Sequence, residues 1–318
     1  MPVPIVAVVG FTASGKTELS LDLAERLGGE IVNTDAMQVY RGMDVGTAKL
    51  PPAERRGIPH HLLDRLSVRE PATVAEFQGW AREVIRHLRA GEHRPPVLVG
   101  GSALYTRAIV DRFRFPGTDP DVRARWEAEL DRVGTQALHA HLAEADPEAA
   151  ERIRPDNGRR IVRALEVVEI TGRPFSASLP RLEYVDPLTV QVGLTIDRPT
   201  LDDRIARRVE VMFASGFVEE VERLLDEGLA EGRTASRAIG YREVMAHLAG
   251  ELTLEEAKER TTIATRQFAR RQDSWFRKDP RIHWVPWDAP DRADRAEAAV
   301  HDLVRKIGQA DGDGPAPD

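Results

Sequence analysis

The sequence predicts an α/β fold, a parallel sheet core interrupted by a mainly α-helical insertion domain. Three observations lead there. An apolar, β-branched run (Ile5, Val6, Ala7, Val8, Val9) leads straight into Gly10-Phe11-Thr12-Ala13-Ser14-Gly15-Lys16-Thr17, and Leu19, Leu23 and Leu27 follow at steps of four. A second short apolar segment, 30–35, ends in the carboxylate of Asp35; strand, helix, strand in that order implies parallel pairing through a crossover. Residues 114–187 read as mainly helical, before a strand-like run returns at 189–196.

The first element carries the chemistry. Strand, glycine-bounded loop and helix give G-x-x-x-x-G-K-[ST] the context of a P-loop NTPase-like core. The glycines let several backbone N–H groups face one anion, and the helix that starts there adds its positive dipole end. Lys16 supplies a point charge to a terminal phosphate, and the Thr17 hydroxyl a ligand for Mg²⁺. Gly10, Phe11, Thr12, Ala13, Ser14, Gly15, Lys16 and Thr17 are therefore the expected binding residues for a triphosphate such as ATP or for a diphosphate.

Asp35 should emerge beside that loop, because ligands of such sheets lie beyond the carboxyl ends of the strands. A glycine-broken polar stretch at 42–49 suits an active-site loop, and 58–64 another ordered connection. Val74, Phe77, Trp80, Ala81, Val84, Ile85 and Leu88 mark an amphipathic helix over 73–89. Pro95-Pro96 precedes a strand at 97–99, which ends in Gly100-Gly101-Ser102 ahead of a helix over 103–110. In the insertion, Val122, Trp126, Leu130 and Val133 share one face, and Ile161, Leu165 and Val168 another. After the returning strand come helices on Leu201, Ile205, Val209 and Met212 and on Val218, Val221, Leu224 and Leu225. A long basic helix over 253–277, a last strand at 281–285 and a closing helix through Ile307 complete the chain. The domain reading is 1–113 for the first part of the core, 114–187 for the insertion, 188–307 for the second part, and 308–318 for a disordered tail.

Composition narrows the classes. The 318 residues include no cysteine, which excludes disulfides, a thiol nucleophile and Cys-ligated zinc. The N-terminal apolar run lacks a basic flank and ends inside the loop, so it reads as a core strand and not a signal peptide. No apolar stretch nears the roughly 18 residues of a membrane span. A cytoplasmic monomer without membrane contact is the expectation. The net charge of −7 hides basic segments: 152–173 holds six Arg against three acidic residues, and 260–281 seven Arg or Lys against two Asp. Such stripes can form a phosphate footprint on an acidic protein.

The residues leave the use of the loop open. The strand at 97–99 ends in Gly-Gly-Ser and not in a carboxylate, and no N-K-x-D element for guanine appears. Asp35 suits a metal ligand, as in an ATP-dependent small-molecule or nucleotide kinase, and equally a base acting on a bound acceptor.

Taken together, Gly10 to Thr17, 35–40 (DAMQVY), 42–49 (GMDVGTAK), 59–64 (PHHLLD), 100–105 (GGSALY), 159–167 (RRIVRALEV), 239–242 (IGYR) and 265–272 (TRQFARRQ) resemble the tRNA dimethylallyltransferase family. The resemblance spans nearly the whole chain except the tail. It implies that the loop holds dimethylallyl diphosphate, with Mg²⁺, and that a prenyl group passes to N6 of the adenosine immediately 3′ of the anticodon of tRNA. It implies Asp35 as general base, with Lys16, Ser102 and Arg237 in the catalytic set. On the tRNA side it implies Asp35, Ala36, Met37, Gln38, Ser102, Arg123 and Arg242, and a flipped acceptor base. From spacing alone, Arg159, Arg160 and Arg163 form one helix face that suits RNA contact or a solvated surface equally, and Arg266, Gln267, Arg270 and Arg271 on the second basic stripe read as further tRNA contacts. Phe11, Ala36 and Ser102-Ala103 depart from the family's usual Pro, Ser and Thr-Gly. His60 and His61 read as loop-ordering residues, Trp275 and Phe276 as core, and Tyr241 as either packing or acceptor channel.

Overall fold

The computed structural model describes residues 3–113, 115–176 and 182–312. The chain divides into two compact units, one made of 1–110 with 184–318 and the other of 111–183.

The first unit is built on a six-stranded, all-parallel sheet in the order β3-β2-β4-β1-β5-β6. Its strands are β1 (Ile5–Val9), β2 (Glu30–Asn33), β3 (His60–His61), β4 (Pro96–Gly100), β5 (Thr189–Thr195) and β6 (Ile282–Pro286). Alternation along β1 sorts its side chains between two cores. Ile5, Ala7 and Val9 join Val32, Leu98, Phe77 and Tyr241, while Val6 and Val8 join Leu19, Leu23, Val192 and Val300. Both faces are covered by helices, as a parallel sheet requires. β5 shows the same coverage on both faces. Thr189 to Leu194 are all buried, because β5 lies inside the sheet, and buried Gln191 bonds Tyr184 and Asp279. β3 is an edge strand inside the expected connection, held by His61 Nε2 against the Glu30 carboxylate at 2.7 Å.

Helices α1 (Lys16–Leu27), α2 (Val74–His87) and α3 (Ala103–Val110) alternate with the early strands. The other unit contributes α4 (Pro120–Ala145), bent at Gly134, α5 (Pro147–Arg152) and α6 (Gly158–Thr171). After β5 come α7 (Arg198–Ala214), α8 (Phe217–Asp226), α9 (Tyr241–Leu248), α10 (Leu254–Phe276) and, beyond β6, α11 (Arg292–Gly312). Asp197 caps α7 by accepting the Thr200 N–H, and Thr253 with Glu256 forms a capping box on α10. The last helix runs to Gly312, so 308–312, expected in the tail, are helical; 313–318 lie outside the described residues. Among the described residues no helix is long and apolar enough to cross a membrane.

The helical unit has its own core around Leu138, Leu142, Ile161 and Leu165. Within that unit the fully buried Glu166 accepts from Thr118, the Asp119 N–H and Arg163, and pairs with Arg123. Burial pushes this carboxyl up, but those bonds win and hold it below its ordinary value. A depressed folded value stabilises the fold above the unfolded pKa and loses that contribution as pH falls. Glu166→Gln is therefore expected to cost about 1.5–3 kcal/mol at neutral pH. In thermal unfolding of the full chain, the gap from the parent should close as pH drops below the ordinary glutamate value of 4.5. A gap independent of pH would remove the carboxylate charge from this role.

Candidate active site

Four strands deliver their following residues to one edge of the sheet. β1 runs into the phosphate loop, β2 into Asp35, β4 into Gly101 and Ser102, and β5 into the cap of α7. This is the carboxyl edge, where open α/β sheets bind ligands. A cavity of about 620 Å³ lined by Val3, Ile5, Arg86 and Thr189 opens near the strand starts instead, so it is separate from these residues.

The loop is shaped for an anion. Gly10 and Gly15 take φ of +132° and +97°, and Ala13 takes +61° despite its Cβ. α1 begins at Lys16, presenting its first amide groups. Ser14 is fully buried, and its Oγ has no hydrogen-bond partner among the described residues; such a group wants an acceptor or donor from a ligand. Lys16 Nζ reaches across the loop to the Phe11 carbonyl at 2.5 Å. Burial, reinforced by the charge of Arg208 and opposed by Asp35, pulls the Lys16 ammonium down to about 7. An amine short of negative charge, an orphan hydroxyl and a helix N-terminus together fit a diphosphate. Thr17 is exposed at that N-terminus. No group of three or more His, Asp or Glu able to hold a metal exists among the described residues. The Thr17 hydroxyl is the residue here that would hold the expected Mg²⁺.

Asp35 is locked from its own backbone. Its N–H donates to Asn33 Oδ1 at 2.8 Å, its Oδ1 accepts from the Met37 N–H at 2.8 Å, and Asn33 Nδ2 returns to its carbonyl at 3.1 Å. Oδ2 has no partner among the described residues. The Asp35 charge is felt by Lys16, Arg208 and Tyr105. The phenol of Tyr105 is pushed up to about 12 by burial, with Tyr40 and Asp35 adding to it, so it stays neutral in ordinary buffers. Burial draws the Arg208 guanidinium down, with Asp35 opposing, but an arginine stays charged. Arg208 and Tyr105 are the residues that sequence reasoning missed as site members. A signal existed for Arg208: Arg204 and Arg208 lie four apart, each immediately before a buried apolar residue of α7 (Ile205, Val209).

The segment 42–49 is anchored from α8 and α9. Glu220 accepts the N–H groups of Asp44, Val45 and Gly46 at 2.9, 2.7 and 3.1 Å and the Tyr241 hydroxyl at 2.6 Å. Tyr241 is fully buried, which decides for packing. The segment then offers the Thr47 carbonyl to Gln38 Nε2 at 3.2 Å and Arg208 Nη2 at 3.3 Å.

Ser102 sits half-buried just before α3, its Oγ accepting the Tyr105 N–H at 3.4 Å. Ala36 and Met37 are half-buried and pack against the larger core. Phe11 is 1% exposed, packed with Leu201, Ile205 and Ala269, which accounts for a large side chain there. Ala103 begins α3 and is buried in the larger core.

The arginines separate into tied and open ones. Arg266 is folded onto α7, donating to the Asp202 carbonyl at 3.2 Å. Arg242 is exposed but paired with Glu243. Arg237 is exposed at the end of a short 3₁₀ turn, Ala235–Arg237. Gln267, Arg270 and Arg271 are exposed on α10. Phe276 is core, but Trp275 is 49% exposed and not core as expected, because α10 turns Ala269, Gln272 and Phe276 inward. In the helical unit Arg159 and Arg160 are exposed, whereas Arg123 and Arg163 serve Glu166.

Comparisons with known proteins agree on one family. A family model described as IPP transferase matches residues 38–279. The chain is 75% identical over 297 residues to the tRNA dimethylallyltransferase of Nocardioides sp., covering 93% of this chain and 96% of that one. It is 58% identical over 307 residues to the tRNA dimethylallyltransferase of Streptomyces coelicolor, covering 96% and 98%. The crystal structure of the full-length tRNA isopentenylpyrophosphate transferase of Bacillus halodurans superposes with a TM-score of 0.72 at 38% identity, covering 97% of this chain and 99% of that one.

The lowered Lys16 makes anion binding pH-dependent. A bound diphosphate raises the ammonium pKa again, so binding takes up a proton above about 7. Affinity for inorganic pyrophosphate should fall with rising pH, by up to about tenfold per unit, beyond the ligand's own titration. Calorimetry on the parent and on Lys16→Arg separates the two contributions, since arginine stays charged throughout. Equal slopes would place the proton elsewhere.

Proposed function

The chain belongs to the IPP transferase family, and from that premise we infer how its own residues carry out the family's reaction. The protein transfers a dimethylallyl group from dimethylallyl diphosphate to N6 of the adenosine immediately 3′ of the anticodon in tRNA, releasing diphosphate. It does this with a P-loop NTPase-like core that works on a leaving group, without hydrolysing a nucleotide.

The observation that carries the mechanism is geometric: the carboxyl edge of the sheet brings the phosphate loop, with Lys16 and a Ser14 hydroxyl unpartnered among the described residues, together with Asp35, whose Oδ1 is fixed by the Met37 N–H. The diphosphate lies against the amide groups of the loop and of α1, with the Ser14 hydroxyl and Lys16 turned to it. N6 attacks the allylic carbon, the C–O bond breaks, and its electron pair leaves on the diphosphate. Lys16 and Arg208 stabilise the charge that develops there, in a site where such charges count for more than in water. Asp35 Oδ2 takes the N6 proton. Thr17 would hold Mg²⁺, which when bound would supply further neutralising charge to the leaving group. Because an adenosine amine is a weak nucleophile, most of the acceleration comes from positioning and leaving-group stabilisation. The acceptor base leaves its stack to reach Asp35.

Among the basic residues, Arg159, Arg160, Arg270 and Arg271 are exposed without a carboxylate partner among the described residues, which suits them to the RNA backbone. Arg123, Arg163 and Arg266 are tied within the fold and contribute charge and shape more than a mobile contact. Ser102, Gln38 and Arg242 are read as acceptor-side contacts, and Arg237 as a phosphate clamp. The protein acts as a monomer in the cytoplasm, where its substrate is.

The deciding experiment incubates the protein with radiolabelled dimethylallyl diphosphate, Mg²⁺ and unmodified tRNA carrying the target adenosine. Label should appear on that nucleoside; ATP turnover without label transfer would favour a kinase. Asp35→Asn is expected to lower kcat by about 10²–10⁴-fold, and near-normal turnover would remove Asp35 from proton transfer. Arg270→Ala should weaken tRNA binding and shallow its log–log salt dependence by about one. An unchanged slope would make that arginine structural.

A further inference from the structure

Three consecutive residues of the phosphate loop are held from outside it. The Phe11 ring is packed among Leu201 and Ile205 of α7 and Ala269 of α10. The Thr12 N–H donates to Gln272 Oε1 of α10 at 3.0 Å. The Ala13 carbonyl accepts from Arg204 Nε of α7 at 2.7 Å, and that guanidinium lies 4.4 Å from the Trp287 ring centroid.

Gln272 differs from the other two contacts because it has a second hand. Its Nε2 donates to the Gly101 carbonyl at 2.7 Å, immediately before Ser102. The residue is 6% exposed, and a Cβ at Gly101 would overlap its amide. One rigid amide therefore spans the gap between the donor loop after β1 and the turn after β4. A primary amide is the side chain suited to this: one end accepts a backbone N–H and the other donates to a backbone carbonyl. The Thr12 N–H is thereby removed from the set available to a phosphate, so its place in the loop is to be positioned.

We propose that Gln272 is a positioning residue that sets the spacing between the diphosphate-holding loop and the turn bearing Ser102, and so between donor and acceptor. It touches neither substrate and acts through Thr12 and Gly101. The inference rests on the transfer reaction above for its rate readout, and on pyrophosphate binding for an independent one. Misplacing reacting groups by about an ångström costs roughly 10²-fold in rate.

The test compares Gln272→Leu and Gln272→Glu with the parent in the full chain, reading kcat, both KM values, and inorganic pyrophosphate affinity by calorimetry. Gln272→Leu loses both bonds and is expected to lower kcat by about 10–100-fold, with the KM for tRNA changed less than about threefold. Gln272→Glu keeps an acceptor for Thr12 but sets a negative charge beside the loop and faces the Gly101 carbonyl without a donor. It should raise the donor KM and weaken pyrophosphate binding by about tenfold or more, a shift that mere loss of stability would not produce. If Gln272→Leu does not fold, Gln272→Glu alone decides: an unchanged donor KM and pyrophosphate affinity overturn the proposal. Folded Gln272→Leu with kcat within about twofold of the parent also overturns it. A parent that transfers no label, whose pyrophosphate binding nonetheless depends on Gln272, would refute the reaction and leave the bracing intact.

Discussion

A loop that surrounds an anion with its own N–H groups cannot use those groups to hold its own shape. The helix pair α7 and α10 meets that constraint here. Phe11, Thr12 and Ala13 each find a partner on one or both helices. Ala13 can persist at φ +61° because both its carbonyl and its neighbours are fixed. The same two helices carry Arg208 towards Asp35 and Lys16, and the open arginines of the basic stripe. The braces of the phosphate loop, Arg208 and the open arginines of α10 are thus mounted on one frame.

The other half of the site follows the same logic with an anion supplied by the protein. Glu220 collects three successive amide groups of 44–46, as a bound anion would in a nest. Lys49, buried among the Tyr40 carbonyl, Asp44 and Asp64, closes the segment from its far end. What is left facing the site is the Thr47 carbonyl, which orients both Gln38 and Arg208. A glycine is required at 46 because Phe217 and Tyr241 occupy the space a Cβ would take.

Charge has been divided by function. Arginines within reach of a buried carboxylate are consumed by it, as Arg163 by Glu166. Those that remain exposed on α6 and α10 leave uncompensated positive charge on the surface of an overall acidic chain. The net charge of −7 therefore says little about the partner.

Much of this was legible in the sequence. The phosphate loop is a local object: its residue types and the flanking strand and helix suffice to specify it. Asp35 is local too, being the carboxylate that follows a short core strand. Hydrophobic periodicity placed α2, α3 and α10 within about two residues of where they lie, because burial is read along one element at a time, whereas the short α5 and α9 carried no such mark. Other features required contacts between residues far apart in the chain. Arg208 became a site residue only when α7 packed on the phosphate loop and the 42–49 segment, and Tyr105 only when α3 packed against Phe77. Trp275 was misjudged because an aromatic residue's depth depends on which face of α10 meets α7 and α9. The amide of Gln272, 260 residues from Thr12, carries no periodic or compositional mark, since its meaning lies entirely in the two backbone groups that the fold brings to it. The sequence determined that this protein binds a phosphate group beside a carboxylate; the tertiary structure alone decided which distant side chains hold that loop in shape, because buried backbone groups accept whatever partner the fold brings within reach.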